Sequence, residues 1–374
     1  MAFTALIAAT LIAQNQVPGL GQQVPDIIQA EWPSVDNPAL KVMVYHQLLP
    51  LPEAKVCPTH DWKYPFATIG LGATPSNPSF VQRFRVFAQA RGENHDDIAQ
   101  WSTRMFLRLW SNNYNRFDID HAIQYRRLVD VYLAFGGEAG GEHKFEVDGQ
   151  DVDNDNRPQP ASSIYLYQAW QIENPIQLAR EIAHEYGHAS IPPVGPFDGP
   201  EDWANGDAGE RIYMRWLSKD LKAGKISTAD VVNADPALIE KQVQEKFVPL
   251  ATKIGINAPN ASLTSSKSEQ AYWEYVATAC HASEVLPPKR LMRAMMLGGQ
   301  SAATFYKELS TIAEETAEFS FPTPDYMKGE AFYIPGKFKS GQVKGAKVLT
   351  TKNGWTKLQP TAKTISVKGT PPKE

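Results

Sequence analysis

Arg180-Glu181-Ile182-Ala183-His184-Glu185-Tyr186-Gly187-His188-Ala189 is the stretch from which the rest of the chain can be read. It holds a His-Glu-x-x-His pattern, from His184 to His188. Residues four apart stack on one face of a helix, so the two imidazoles would converge on one point. Neutral imidazole ligates zinc at roughly 2 Å. Glu185 would project beside the ion rather than onto it, where it could take a proton from a zinc-bound water. The flanks predict the helix. Asn174-Pro175 is a start signal with proline in the first turn. Ile176, Leu178, Ala179, Ile182 and Ala183 give an apolar face, and Ile191-Pro192-Pro193 stops it. The competing reading is a surface helix with two solvated histidines. Burying two imidazoles beside a carboxylate with no partner ion would be costly in so apolar a segment. Zinc is therefore preferred.

The pattern resembles the zinc helix of the zincin metallopeptidases. One branch continues as H-E-x-x-H-x-x-G-x-x-H; Ile191 and Val194 stand at the last two positions here, which excludes it. The gluzincin branch takes its third ligand from a glutamate on a later helix. The segment from Trp203 to Met214 resembles that helix, with Glu210 at a similar spacing and Ile212 and Trp216 as its core-facing residues. Two positions depart from the branch: Met214 replaces a frequent acidic residue, and Gly209 replaces a frequent asparagine. In the competing reading of Asp207-Ala208-Gly209-Glu210, Asp207 caps the helix and Glu210 reaches back to it. The third ligand would then be Asp207, Glu201 or Asp202. The resemblance covers about residues 120 to 217. It implies Zn2+ held by His184, His188 and Glu210, Glu185 as general base, and a peptide or protein substrate. It also implies an α+β fold, with a zincin-like subdomain (small mixed sheet, backing helix, zinc helix) over 39–200. A mainly helical subdomain over 201–328 would carry the third ligand. A second donor for the oxyanion would come from Tyr213, Tyr272 or His281, each also readable as a packing residue. The contrasting functional class is a non-catalytic binding protein with a structural or vestigial zinc site.

The composition is that of an ordinary globular chain: 374 residues, 43% hydrophobic and 21% charged. A net charge of −4 gives no polybasic signature, so nucleic acid is not an expected partner. Residues 2 to 13 are an apolar run too short to span a bilayer but of signal-peptide length, although a basic n-region is missing. This favours export. No other segment is long and apolar enough for a membrane span. Cys57 and Cys280 are the only cysteines; in an exported protein they could form one disulfide, and two buried thiols are the alternative.

Taken in order, the proline-bearing residues 14–38 read as an arm or linker. Leu40 to His46 alternates as a strand, and Pro50 to Pro78 reads as loop with one short strand around Ala67 to Leu71. Asp96 to Asn112 has helical spacing, and Asp118 to Phe135 reads as a second helix ended by Gly136-Gly137. His46, His60 and His121 read as packing or surface residues. Glu142 to Val147 is a strand, and Asp151 to Asn156 a solvated turn resembling half a calcium loop. Ser162 to Ala169 would be the cleft-lining edge strand that the resemblance implies, or else an internal strand. The Pro- and Gly-rich residues Ile191 to Asn205 would form a loop over the cleft floor. Helices follow over Pro236–Ile254, Ser268–Ser283, Pro288–Met296 and Ala302–Phe319. The lysine-rich residues 329–374 form a β-rich or partly disordered tail, with Lys352-Asn353-Gly354-Trp355 as a hairpin turn.

Overall fold

A computed structural model describes residues 32–33, 41–44, 48–120, 129–152, 158–170, 175–299 and 301–372. The signal-like run, most of the 14–38 arm, His46, His121 and residues 153–156 of the calcium-like turn lie outside the described residues. The described residues form a mixed α+β protein with a β-rich C-terminal segment. They fall into two compact units. The first takes in described residues within Met1–Asn115, Ile119–Ser190 and Lys219–Leu238, and the second those within Arg116–Asp118, Ile191–Ser218 and Ile239–Glu374. No described helix is long and apolar enough to cross a membrane.

The first unit is built on one mixed sheet. Its strands are β1 (Trp32–Pro33), β2 (Lys41–Val44), β3 (Leu49–Val56), β4 (Lys63–Thr74), β5 (Asn77–Ala88), β6 (Val129–Leu133), β7 (Gly140–Val152) and β8 (Pro158–Tyr167). The order is β1-β2-β4-β5-β6-β8-β7, with β3 also on β4. β5, β6 and β8 run parallel, and β7 pairs antiparallel with β8. Helix α1 (Glu93–Asn112) packs on β4 and β5, and helix α2 (Pro175–Ser190) on β7 and β8.

Three expectations need correction. Pro50 to Pro78 is not mainly loop but belongs largely to β3, β4 and the start of β5. Its glycines mark close approach rather than a turn: a Cβ at Gly72 would lie 2.5 Å from the Trp110 ring of α1. The helix expected up to Phe135 is, from Val129 to Leu133, the buried parallel strand β6; residues 121–128 lie outside the described residues. A strand covered on both faces shows a continuous apolar run, which spacing cannot tell from a helix. Ser162 to Ala169 does contain a strand, β8, but an internal one; β7 is the edge.

Side chains beneath the other sheet face form an aromatic core: Tyr64, Phe87, Tyr132 and Tyr165, with Cys57. Tyr132 and Tyr165 stack at 4.9 Å between centroids. Adjacent on β5 and β6, Arg85 and Asp130 make a buried two-pronged ion pair at 2.6 and 2.7 Å.

The second unit holds most of helix α3 (Asn205–Lys222) and helices α4 (Pro236–Gln242, largely), α5 (Val248–Asn257), α6 (Glu269–Val285), α7 (Pro288–Gly298) and α8 (Ala302–Glu315). Ile212 and Trp216 of α3 are buried, as expected. Residues 191–204 form no helix and no named strand. Two three-stranded sheets complete the unit: β10 (Phe332–Pro335), β13 (Trp355–Pro360) and β12 (Ala346–Lys352) in one, β11 (Val343–Lys344), β14 (Thr364–Val367) and β9 (Phe319–Pro322) in the other.

Candidate functional site

Helix α2 starts at Pro175 and stops before the two prolines, and its apolar stripe Ile176, Leu178, Ala179, Ile182, Ala183 is buried. That anchoring fixes the remaining face. His184 and His188 are half-buried there, with their Nε2 atoms 3.2 Å apart and ring planes at 72°. The separation suits a hydrogen bond between a donor and an acceptor ring. It is also close to the roughly 3.3 Å between two nitrogens on a tetrahedral zinc with bonds of about 2 Å. Glu185 is buried, 4% exposed.

Strand β7 shapes the ground around this helix. A Cβ at Gly141 would lie 2.6 Å from Glu185 Cγ and 2.7 Å from its Oε1, so the strand can lie against that carboxylate only because residue 141 has no side chain. Two positions on, and so on the same sheet face, the His143 ring runs nearly parallel to His188, 6.1 Å between centroids and 13° between planes. His143 Nε2 lies 2.7 Å from Ser162 Oγ on β8. Removal from water, and secondarily His188, pushes the His143 pKa down to about 3, so this ring is neutral. The sequence reading did not single out His143. A lone histidine in an alternating strand carries no motif; the available signal was its two-residue offset from a glycine on the strand pairing with β8. On the opposite face Tyr167 donates to Glu142 at 2.6 Å, and its hydroxyl meets His60 Nε2 at 2.6 Å.

The second unit gathers the carboxylates at the start of α3. The helix begins at Asn205, so Asp207 sits inside its first turn and is not the cap. Asp207 instead accepts from Arg211 and from the Tyr272 hydroxyl. Glu210 accepts from Arg211 at 3.1 Å. Asp207, Glu210 and Arg211 are all buried. Burial opposes the Arg211 charge, but Glu210 and Asp207 outweigh it and hold its pKa above the usual value. Burial and then Asp207 push the Tyr272 phenol up, which keeps it a donor. Two buried carboxylates thus share this one guanidinium. Glu201 is half-buried, 3.5 Å from the Tyr272 hydroxyl, and Asp202 is exposed.

The three candidate oxyanion donors are all buried. His281 has both nitrogens engaged: Nδ1 meets the Tyr326 hydroxyl and Nε2 the Tyr333 carbonyl, each at 2.7 Å. It is a packing residue. Cys57 and Cys280 are unpaired buried thiols, so the disulfide alternative falls; burial pushes Cys280 up to about 12. His184 and His188 belong to the first unit, and Glu201, Asp207 and Glu210 to the second. Comparison with protein-family models, with curated proteins and with solved structures finds no match for this chain.

Proposed function

We propose that this protein is a zinc-dependent metallopeptidase of zincin, gluzincin-like type. The observation that carries the reading is the pair of imidazole nitrogens 3.2 Å apart on α2, with a buried glutamate between them in sequence. His184 and His188 are the nitrogen ligands, and Glu210 is the preferred third, with Glu201 its main competitor. Bound zinc would supply Lewis-acid chemistry, acidifying water and polarising a carbonyl.

Glu185 is the proton carrier. It takes a proton from the attacking water, and the water oxygen adds to the peptide carbonyl carbon. Glu185 then gives the proton to the departing amine as the C–N bond breaks. Burial removes its carboxyl from bulk water, and the bare backbone at Gly141 leaves it room for both transfers.

The test is elemental analysis of the purified chain together with hydrolysis of a mixed peptide library. Zinc bound one per chain and hydrolysis by the native protein are expected. Glu185→Gln should retain zinc and lose activity by about 10²–10⁴-fold. Full zinc occupancy without hydrolysis of any peptide would leave the structural-zinc reading in its place.

A further inference from the structure

The last 46 residues, 329–374, carry nine lysines, no arginine and two glutamates. That is a net +7 in a chain whose total is −4, so the rest of the chain carries −11. Seven of the eight described lysines are exposed and Lys357 is half-buried. Among the described residues, none of the eight is ion-paired to a carboxylate. A segment of net charge +7 whose described lysines form no ion pair points to an anionic partner.

The hairpin of β12 and β13 gives that array a shape. Asn353 and Gly354 turn it with φ of 50° and 80°. Val348 pairs with Leu358 and Thr350 with Lys357, which leaves Leu349 as an extra, bulged residue. Bulges re-aim side chains, and Leu349 is 46% exposed. Lys347 and Lys352 flank it on the same strand, and Lys357 stands on the neighbouring one. We propose that this hairpin is a contact surface for an anionic lipid bilayer, with the three lysines at the headgroups and Leu349 entering the interface.

Three features favour a lipid surface. With no arginine, the segment lacks the planar fork that grips phosphates and bases of nucleic acid. Phe332, Phe338 and Trp355 are buried, so these rings give bases or sugars nothing to stack on. Lysines and a bulge can also guard an edge strand from pairing; the exposed Leu349 among them adds the apolar group that a lipid interface takes up.

The experiment is sedimentation of the full chain with phosphatidylserine–phosphatidylcholine vesicles, against pure phosphatidylcholine vesicles and duplex DNA, over a salt series. Binding to the anionic vesicles alone is expected, weakening with salt. The triple variant Lys347→Gln, Lys352→Gln, Lys357→Gln should bind roughly 100-fold more weakly, about fivefold per lysine. Leu349→Ser should weaken binding at every salt concentration without altering the salt slope. Unchanged thermal midpoints establish that the variants fold, and Lys347→Glu alone serves if the triple variant does not. No binding to anionic vesicles overturns the proposal, as does equal binding to neutral ones. Binding to duplex DNA that ignores Leu349→Ser also overturns it, and assigns the surface to nucleic acid.

Discussion

Glu185 and Gly141 form a pair in which a missing side chain matters as much as a present one. A methyl group at 141 would meet the Glu185 side chain at under 3 Å. The obstructed atoms belong to the end of a flexible side chain, so they can swing aside at little cost in stability. Gly141→Ala is therefore expected to keep its unfolding midpoint and zinc content while hydrolysis falls, by about 10²-fold for a displacement near 1 Å. Unfolding curves, elemental analysis and rates on one preparation check this together. A large loss of stability would show that β7 cannot yield there. None of this was legible in the sequence: Gly141 carries no motif, and its importance follows from which helix residue it meets.

At the scale of elements, helix α2 and the Asn353-Gly354 turn declared themselves, whereas strand order, and the strand β6 where a helix was expected, did not. Proline, an apolar stripe and a proline stop delimit α2 locally, and Asn353-Gly354 encodes its own turn. The strands β3 to β5 were hidden because glycine and proline usually punctuate loops, whereas here Gly72 admits Trp110 to the sheet. That ring is rigid and sandwiched with the Arg83 guanidinium, 4.6 Å from its centroid. Gly72→Ala should thus destabilise by about 1–3 kcal/mol, read from denaturant midpoints. Removing one partner of the buried Arg85–Asp130 pair should cost more: Asp130→Ala is expected to lose about 3–5 kcal/mol, because it strands a buried guanidinium. A shift below 1 kcal/mol would mean that water reaches Arg85.

For the whole molecule, stability is tied to pH through His281, deep in the second unit. Burial pushes its pKa down to about 4. The unfolded chain binds this proton below about 6.5, so between 6.5 and 4 the unfolded state holds more protons than the folded one. Stability therefore rises with pH across that window and is lost as pH falls through it, by on the order of 3 kcal/mol from this group. Urea midpoints across the window should show the slope, and His281→Gln should flatten it. An unchanged slope in that variant would place the dependence on other groups.

The amino-acid order alone determined where α2 begins and ends, that two imidazoles share one of its faces, and that residues 329–374 are lysine-rich with a hairpin turn at Asn353-Gly354. Those properties depend on contacts within a few residues, where periodicity and turn chemistry act directly. Only the tertiary structure decided that β7 is an edge strand, that His143 stacks beside His188, that Asp207 is held by Arg211 and Tyr272 rather than capping a helix, and that both cysteines are free thiols. Each of these pairs residues distant in sequence or sets competing partners against one another, and local spacing carries no information about which one wins.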